Sequence, residues 1–323
     1  MNKSKIDKRI LDKLNLPKPG SHKGQNGRLL VVAGSKKYHG SLLYAIKTAA
    51  KIVDLVYVLK TKENRGLVEK LKSGTAEFIP VNPSWSARWR TTLPSSGEGN
   101  KVDCILIGPG MGKSKRTYKL VEKVLKSGIR AVLDADALNV MDAKLLKLLG
   151  PRHILTPHRG EFERMYQKLT NVRKWHKMNE REREENFVKQ FGCTVVLKGK
   201  VDIVSSPSPS PLPSRERKIL IAYNQTGNEG MTKGGTGDVL AGLIAGFYCR
   251  NNAFVSAAAG AYINGLAGDE LYKKVGPYYN AEDLVEQIPM TLWRLRRRAT
   301  SPGLRPPSPG LGRDEGRGRT FIQ

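Results

Sequence analysis

Aromatic residues are scarce in this chain, 7% of 323 residues, and acidic ones are outnumbered, 29 against 56 basic. Cysteine is nearly absent, and no apolar run approaches the roughly 20 residues that a membrane-spanning helix needs. These shortages exclude several classes. Three cysteines, Cys104, Cys193 and Cys249, are odd in number, far apart and set in apolar stretches. They cannot form the staple framework of a small secreted fold, and buried reduced thiols in a cytoplasmic protein are expected. The first residues, Met1 to Lys13, mix charges with isolated Ile and Leu and lack the apolar core of a secretory signal. The chain is expected to have no membrane partner.

The excess of base invites a nucleic-acid reading, because clustered Lys and Arg neutralise backbone phosphates. The formal net charge is +27. Its distribution argues otherwise: residues 1–28 contribute +6 (eight basic, two acidic) and residues 293–323 another +6 (eight basic, two acidic). Much of the remainder is scattered along helices such as Lys113 to Lys126. No nucleic-acid motif accompanies it. A solvated basic surface that also attracts small anions is expected; the rival is a basic nucleic-acid binder, which strong, salt-sensitive DNA binding would reveal.

What the sequence does have is alternation. Short β-branched runs at Leu29–Ala33, Leu55–Leu59, Cys104–Ile107, Ala131–Leu133 and His153–Leu155 are separated by helical stretches, among them Ser41–Ile52 and Tyr118–Lys126. Strand, helix, strand predicts an α/β fold, a mainly parallel sheet with helices on both faces. In such sheets ligands bind beyond the carboxyl ends of strands. After Val195–Leu197 the pattern changes to Asp202–Val204 and Ile219–Ile221, an antiparallel meander. A helix with one apolar face follows from about Thr236, and a second, apolar helix rich in small residues over Phe254–Leu271. Three Ser/Pro/Arg-rich segments, near 84–101, 207–217 and from 301 to 323, interrupt the order and are expected to be two inserted disordered loops and a basic tail outside a domain spanning 1–300.

The most informative stretch is NQTGNEGMTKGGTGDVLAG, Asn224 to Gly242. Gly234, Gly235 and Gly237 stand directly before a helix, so bare amides and the positive end of the helix dipole are open to an anion. Asp238 falls in the first turn and can take a proton from a hydroxyl attacking a phosphate. The bland alternative is that Thr236 or Asp238 merely caps the helix. GPGMGKS, Gly108 to Ser114, ends like a phosphate-binding loop. The required glycine five residues before Gly112 is Ile107, so it is not one. Its glycines instead leave the backbone free for a bulky ligand, the alternative being a plain turn after a buried strand. Asp134 and Asp136, two apart at a strand end, are expected to share one face and to line the site, meeting solvent, metal or polar substrate.

GGTGDVLAG resembles the anion-hole and base motif of the ribokinase-like superfamily, and Asn228–Gly242 as a whole is similar to ADP/ATP-dependent (S)-NAD(P)H-hydrate dehydratases. KGQNGRLLVVAGSKKYHGS (Lys23–Ser41), ILIGPGMGKS (Ile105–Ser114), AVLDADALN (Ala131–Asn139) and ILTPHRGEFERM (Ile154–Met165) carry the resemblance in the same order. It implies a ribokinase-like three-layer sandwich and a metabolite-repair lyase that returns (6S)-NADHX or NADPHX to NADH or NADPH, with ATP or ADP as co-substrate and Mg²⁺. Asp238 is implied as the catalytic base and Gly235, Thr236 and Gly237 as the anion hole. Ser41, Gly110, Gly112 and His158 are implied with Asp238 at the substrate. Lys198, Gly199, Lys200, Val201, Asp202 and Gly237 would meet the nucleotide, and Glu161 would reach the metal through water. A homo-oligomer is also implied. Two departures stand out: His158 replaces the Asn of the sugar kinases' Asn-x-x-Glu, and Gly40-Ser41 replaces the family's Gly-Ala. Many members carry an epimerase domain in front; residues 1–22 alone precede the first matching segment here, so that activity is expected on another chain or not at all. The alternative is a kinase of a small alcohol such as a hydroxymethylpyrimidine or hydroxyethylthiazole.

Overall fold

A computed structural model describes residues 4–84, 102–169, 178–208 and 218–300, with side chains up to residue 297. The segments 85–101, 209–217 and 301–323, where the inserted loops and tail were expected, lie outside the described residues. The strands are β1 Ser4–Lys5, β2 Arg28–Val32, β3 Leu55–Leu59, β4 Ile79–Val81, β5 Cys104–Ile107, β6 Arg130–Leu133, β7 His153–Leu155, β8 Thr194–Leu197, β9 Asp202–Pro207 and β10 Ile219–Asn224. They form one sheet in the order β1-β10-β9-β8-β7-β6-β5-β2-β3-β4. From β4 to β8 all pairings are parallel; β9 runs antiparallel to both β8 and β10. The parallel body and the meander are as the residue pattern predicts.

Alternation within each strand shows why helices must cover both faces. In β2, Leu29 and Val31 enter one core and Leu30 and Val32 the other; in β5, Cys104 and Leu106 part from Ile105 and Ile107 in the same way. Successive side chains point to opposite faces, so a strand apolar at every position needs two apolar layers. One layer is built from α1 His39–Ala50, α8 Thr236–Tyr248, α9 Ala253–Val275 and α10 Ala281–Thr300. The other holds α3 Lys115–Lys126, α4 Asp136–Asn139, α5 Ala143–Leu146, α6 Arg159–Tyr166 and α7 Glu180–Phe191; α2 Arg65–Leu71 follows β3.

The sequence pattern misses β1, β4 and α10. Both strands lie at the sheet edges, where Lys5 and Pro80 suit an unpaired flank but break the apolar signal. Pro289 inside α10 hides that helix in the same way. β9 continues to Pro207, one residue into the segment read as loop, and Ser208 still donates its N–H to the Lys218 carbonyl at 2.8 Å. No described helix is long and apolar enough to cross a membrane.

Candidate active site

The carboxyl ends of β2, β5, β6, β7 and β8 deliver the loops that hold most of the residues singled out above, and the starts of α1 and α8 close the same end. Gly235 is the N-cap of α8, with φ +96, and a Cβ there would stand 2.6 Å from the Tyr44 ring. Only glycine combines that conformation with that approach. The Thr236 hydroxyl turns back onto the Met231 and Lys233 carbonyls (2.7 and 2.9 Å), and its N–H leans on Lys233 at 3.4 Å. The amides of Gly235, Gly237 and Asp238 have no protein partner among the described residues, as expected for a helix start. No side chain caps this helix. Thr236 therefore shapes the loop with its hydroxyl, while Gly237 and Asp238 present free donors.

The loop before the helix is clamped from behind. Asp269 of α9 accepts the Gly227 N–H and the Asn228 amide; Asn228 in turn accepts the Gly230 N–H and the Tyr279 hydroxyl, the last at 2.7 Å. The Lys233 ammonium donates to the carbonyls of Pro277 and Tyr279 and lies over the Tyr279 ring. None of Asp269, Tyr279 and Lys233 was foreseen, because the contacts join segments more than 40 residues apart.

Asp238 sits in the first turn of α8, partly exposed, with a hydrogen bond from Ser41. Burial and then the charge of Asp134 push its carboxyl up from 3.8 to about 6; the Ser41 hydrogen bond and the Lys198 charge oppose this, and Asp136 adds to it. Ser41, the departure from Gly-Ala, thus stabilises the ionised form. Lys198 follows β8; its Nζ is 2.9 Å from Asp134 Oδ1 and would be 3.7 Å from a Cβ on Gly237. Burial pushes this ammonium down, but the charges of Asp134, Glu161 and Asp238 and the hydrogen bond to Asp134 together hold it above the ordinary lysine value. A fixed positive charge thus stands beside the free amides.

Asp134 and Asp136 do not share a strand face. β6 stops at Leu133, and Ala135 takes φ +48, a strained conformation for a residue with a Cβ. Asp134 is 1% exposed, and its Oδ1 accepts from the Thr156 hydroxyl (2.8 Å) and from Lys198. It is shut off from solvent and tethers the lysine. Asp136 opens α4 and accepts the Gly112 N–H at 2.7 Å. Gly108 must be glycine: at φ +122, a Cβ would fall 1.9 Å from the Asp134 carbonyl. Gly110 packs on Tyr38 and Ser41, and Gly112 faces open space.

His158 is the N-cap of α6, exposed, and forms a capping box with Glu161: Glu161 accepts the His158 N–H at 2.9 Å, and the His158 ring accepts the Glu161 N–H. The Glu161 side chain is 7% exposed. Gly199, Lys200 and Val201 form the turn between β8 and β9. Asp202 closes it by accepting from Gly199 (3.0 Å) and from the buried Asn224 (3.0 Å), and burial pushes its carboxyl up. Of the residues picked from the sequence, Asp238, Ser41, Gly237 and Lys198 meet in one cluster. Gly110, Gly112, His158 and Glu161 line adjoining loops, and Lys200 is exposed in the turn after β8.

A family model described as NAD(P)H-hydrate dehydratase matches residues 29–290. A bifunctional NAD(P)H-hydrate repair enzyme of Methanocaldococcus jannaschii is 38% identical over 274 residues, covering 84% of this chain and 49% of the relative. The chain thus spans about half the length of that relative. An ADP-dependent (S)-NAD(P)H-hydrate dehydratase of Nitrosopumilus maritimus is 37% identical over 277 residues, covering 84% of this chain and 90% of the relative. Among solved structures, an ADP/ATP-dependent NAD(P)H-hydrate dehydratase of Bacillus subtilis, co-crystallised with ATP and Mg²⁺, superposes with a TM-score of 0.70 at 24% identity, covering 91% of this chain and 99% of that one. A ribokinase-like superfamily protein of Enterococcus faecalis superposes at 0.69 with 22% identity, covering 90% and 96%. The three-layer, mainly parallel fold is therefore ribokinase-like.

Proposed function

We propose, on the premise that this chain belongs to the NAD(P)H-hydrate dehydratase family, that it dehydrates (6S)-NADHX and NADPHX at the expense of ATP or ADP. The observation that carries the reading is the Asp238 carboxyl, raised to about 6, in the same helical turn as free amides and beside the Lys198 ammonium. The relatives' names support the substrate.

Hydrated NADH bears a hydroxyl on a saturated ring carbon next to the ring nitrogen, and hydroxide leaves poorly at neutral pH. Asp238 takes the hydroxyl proton as the oxygen attacks the terminal phosphorus of the nucleotide, and the phosphorus–oxygen bond to the nucleotide breaks. The amides of Gly235, Gly237 and Asp238, with Lys198, stabilise charge on the phosphoryl oxygens. The ring nitrogen's electron pair then expels phosphate. Loss of a proton from the neighbouring ring carbon restores the double bond. The products are NADH, phosphate and a nucleotide shortened by one phosphate.

No group of three His, Cys, Asp or Glu among the described residues could cage a metal. That suits Mg²⁺ carried by the polyphosphate, which needs only one or two protein carboxylates and water. Glu161, within electrostatic reach of Lys198, is the carboxylate we assign to it. When bound, Mg²⁺ neutralises polyphosphate charge. His158, Gly110 and Gly112 border the nicotinamide side, and the turn 198–202 the nucleotide side. We also propose a cytoplasmic homo-oligomer, which size-exclusion chromatography with light scattering would check.

Adding hydrated NADH with ATP or ADP should restore NADH absorbance only when nucleotide is present; conversion of a small alcohol instead would overturn the reading. The pH profile follows from Asp238. With its carboxyl at about 6, kcat should climb through pH 6 and level off above pH 7, because only the ionised form accepts the proton. Ser41→Ala removes a bond to that ionised form, so the rising limb should move to higher pH. An unmoved limb would detach Ser41 from the base.

A further inference from the structure

Beyond Gly112 the chain turns into α3, and a groove of about 510 Å³ opens there, lined by Lys113, Ser114, Lys115, Tyr118, Lys119, Glu122, Asn139 and Val140. Lys113, Lys115 and Lys119 are exposed and have no ion-pair partner among the described residues. The one acid, Glu122, is already engaged by Lys126 (2.7 Å) and Lys144 (3.5 Å). The wall is also ordered from the site side. Asn139 donates to Asp136 Oδ1 and accepts from Arg164 (3.0 Å), while the other Asp136 oxygen holds the Gly112 N–H. Lys168 is fastened to the Asn139 and Met141 carbonyls. Its ammonium is pushed down by burial and by the charges of Arg164 and Lys113, against Asp142, so these cations crowd one place.

We propose that this groove receives the phosphorylated adenosine end of the hydrated dinucleotide and so favours NADPHX over NADHX. The inference rests on the reading of the active site given above. The nicotinamide must reach Asp238, and the Gly110–Gly112 loop borders it. The remainder of a dinucleotide has to leave past that loop, and the Gly112–Asp136–Asn139 hydrogen bonds lead directly to the groove. A site for uncharged adenosine needs no surplus of cations. Three free ammonium groups around one opening suit a phosphomonoester dianion. Neither Lys113 nor Lys119 touches the reacting atoms; their role is selection of substrate.

The test compares kcat/KM for NADHX and NADPHX in the full chain and in a Lys113→Gln/Lys119→Gln variant at physiological ionic strength, where diffuse steering is screened. Both positions are exposed, so the melting temperature should hold. Two lost charge-assisted contacts should lower kcat/KM for NADPHX about tenfold or more, mainly through KM, and leave NADHX within about threefold. Adenosine 2′,5′-bisphosphate should inhibit the unaltered enzyme more strongly than AMP, and the variant should lose that difference. Equal losses on both substrates, or none on either, would overturn the proposal. An unaltered enzyme that converts neither substrate would instead strike at the function proposed above.

Discussion

Asp238→Asn should lower kcat by roughly 10²–10⁴-fold, the range of a lost general base, and at the same time make the protein more stable at neutral pH. Both effects come from one environment. Its carboxyl rises from 3.8 in an ordinary setting to about 6 in the fold, so between those values the folded state binds more protons than the unfolded chain. Stability from this group is then present at low pH and lost as pH rises through 6. A shift of that size corresponds to about 3 kcal/mol; discounting for partial exposure leaves on the order of 1–2 kcal/mol. Asparagine keeps the shape and can still bond to Ser41. The variant should therefore melt a few degrees higher at pH 8 and show no advantage near pH 4. Differential scanning calorimetry at both pH values, beside turnover assays, checks this. A variant that loses activity and stability together would mean that Asp238 is a structural residue.

Lys198→Met is the second large effect. Asp134 is 1% exposed and, among the described residues, keeps only the Thr156 hydroxyl once the ammonium is gone. An uncompensated buried carboxylate costs about 3 kcal/mol or more. Activity should fall as well, because the fixed charge beside Gly237 disappears. Adding Asp134→Asn should restore much of the stability and none of the activity. Urea unfolding of the two single variants and the double variant separates the roles; a double variant as unstable as Lys198→Met would show that the pair is not what binds this corner.

Much of this was legible in the residues alone. Strands such as LLVV and CILI announce a two-faced sheet because every position is apolar, and GGTGD announces a bare helix start because nothing else calls for glycine three times there. The edges were less legible: β4 carries Pro80, and two-residue β1 has no period to read. Within the site, Asp134 and Asp136 looked equivalent on spacing, but Ala135 turns the chain at φ +48 and sends one carboxylate to Lys198 and the other to Gly112. The clamp on the glycine loop was illegible for a similar reason. Asp269 and Tyr279 are ordinary helix and loop residues until the fold sets them behind Asn228.

The central claim is that the substrate hydroxyl oxygen leaves as part of phosphate. It is tested most directly by hydrated NADH carrying heavy oxygen in that hydroxyl, with the product phosphate examined by mass spectrometry. One labelled oxygen in each phosphate released, matched by one NADH formed, is the predicted result. Label recovered in water, with unlabelled phosphate, would contradict phosphoryl transfer from the nucleotide to the ring hydroxyl.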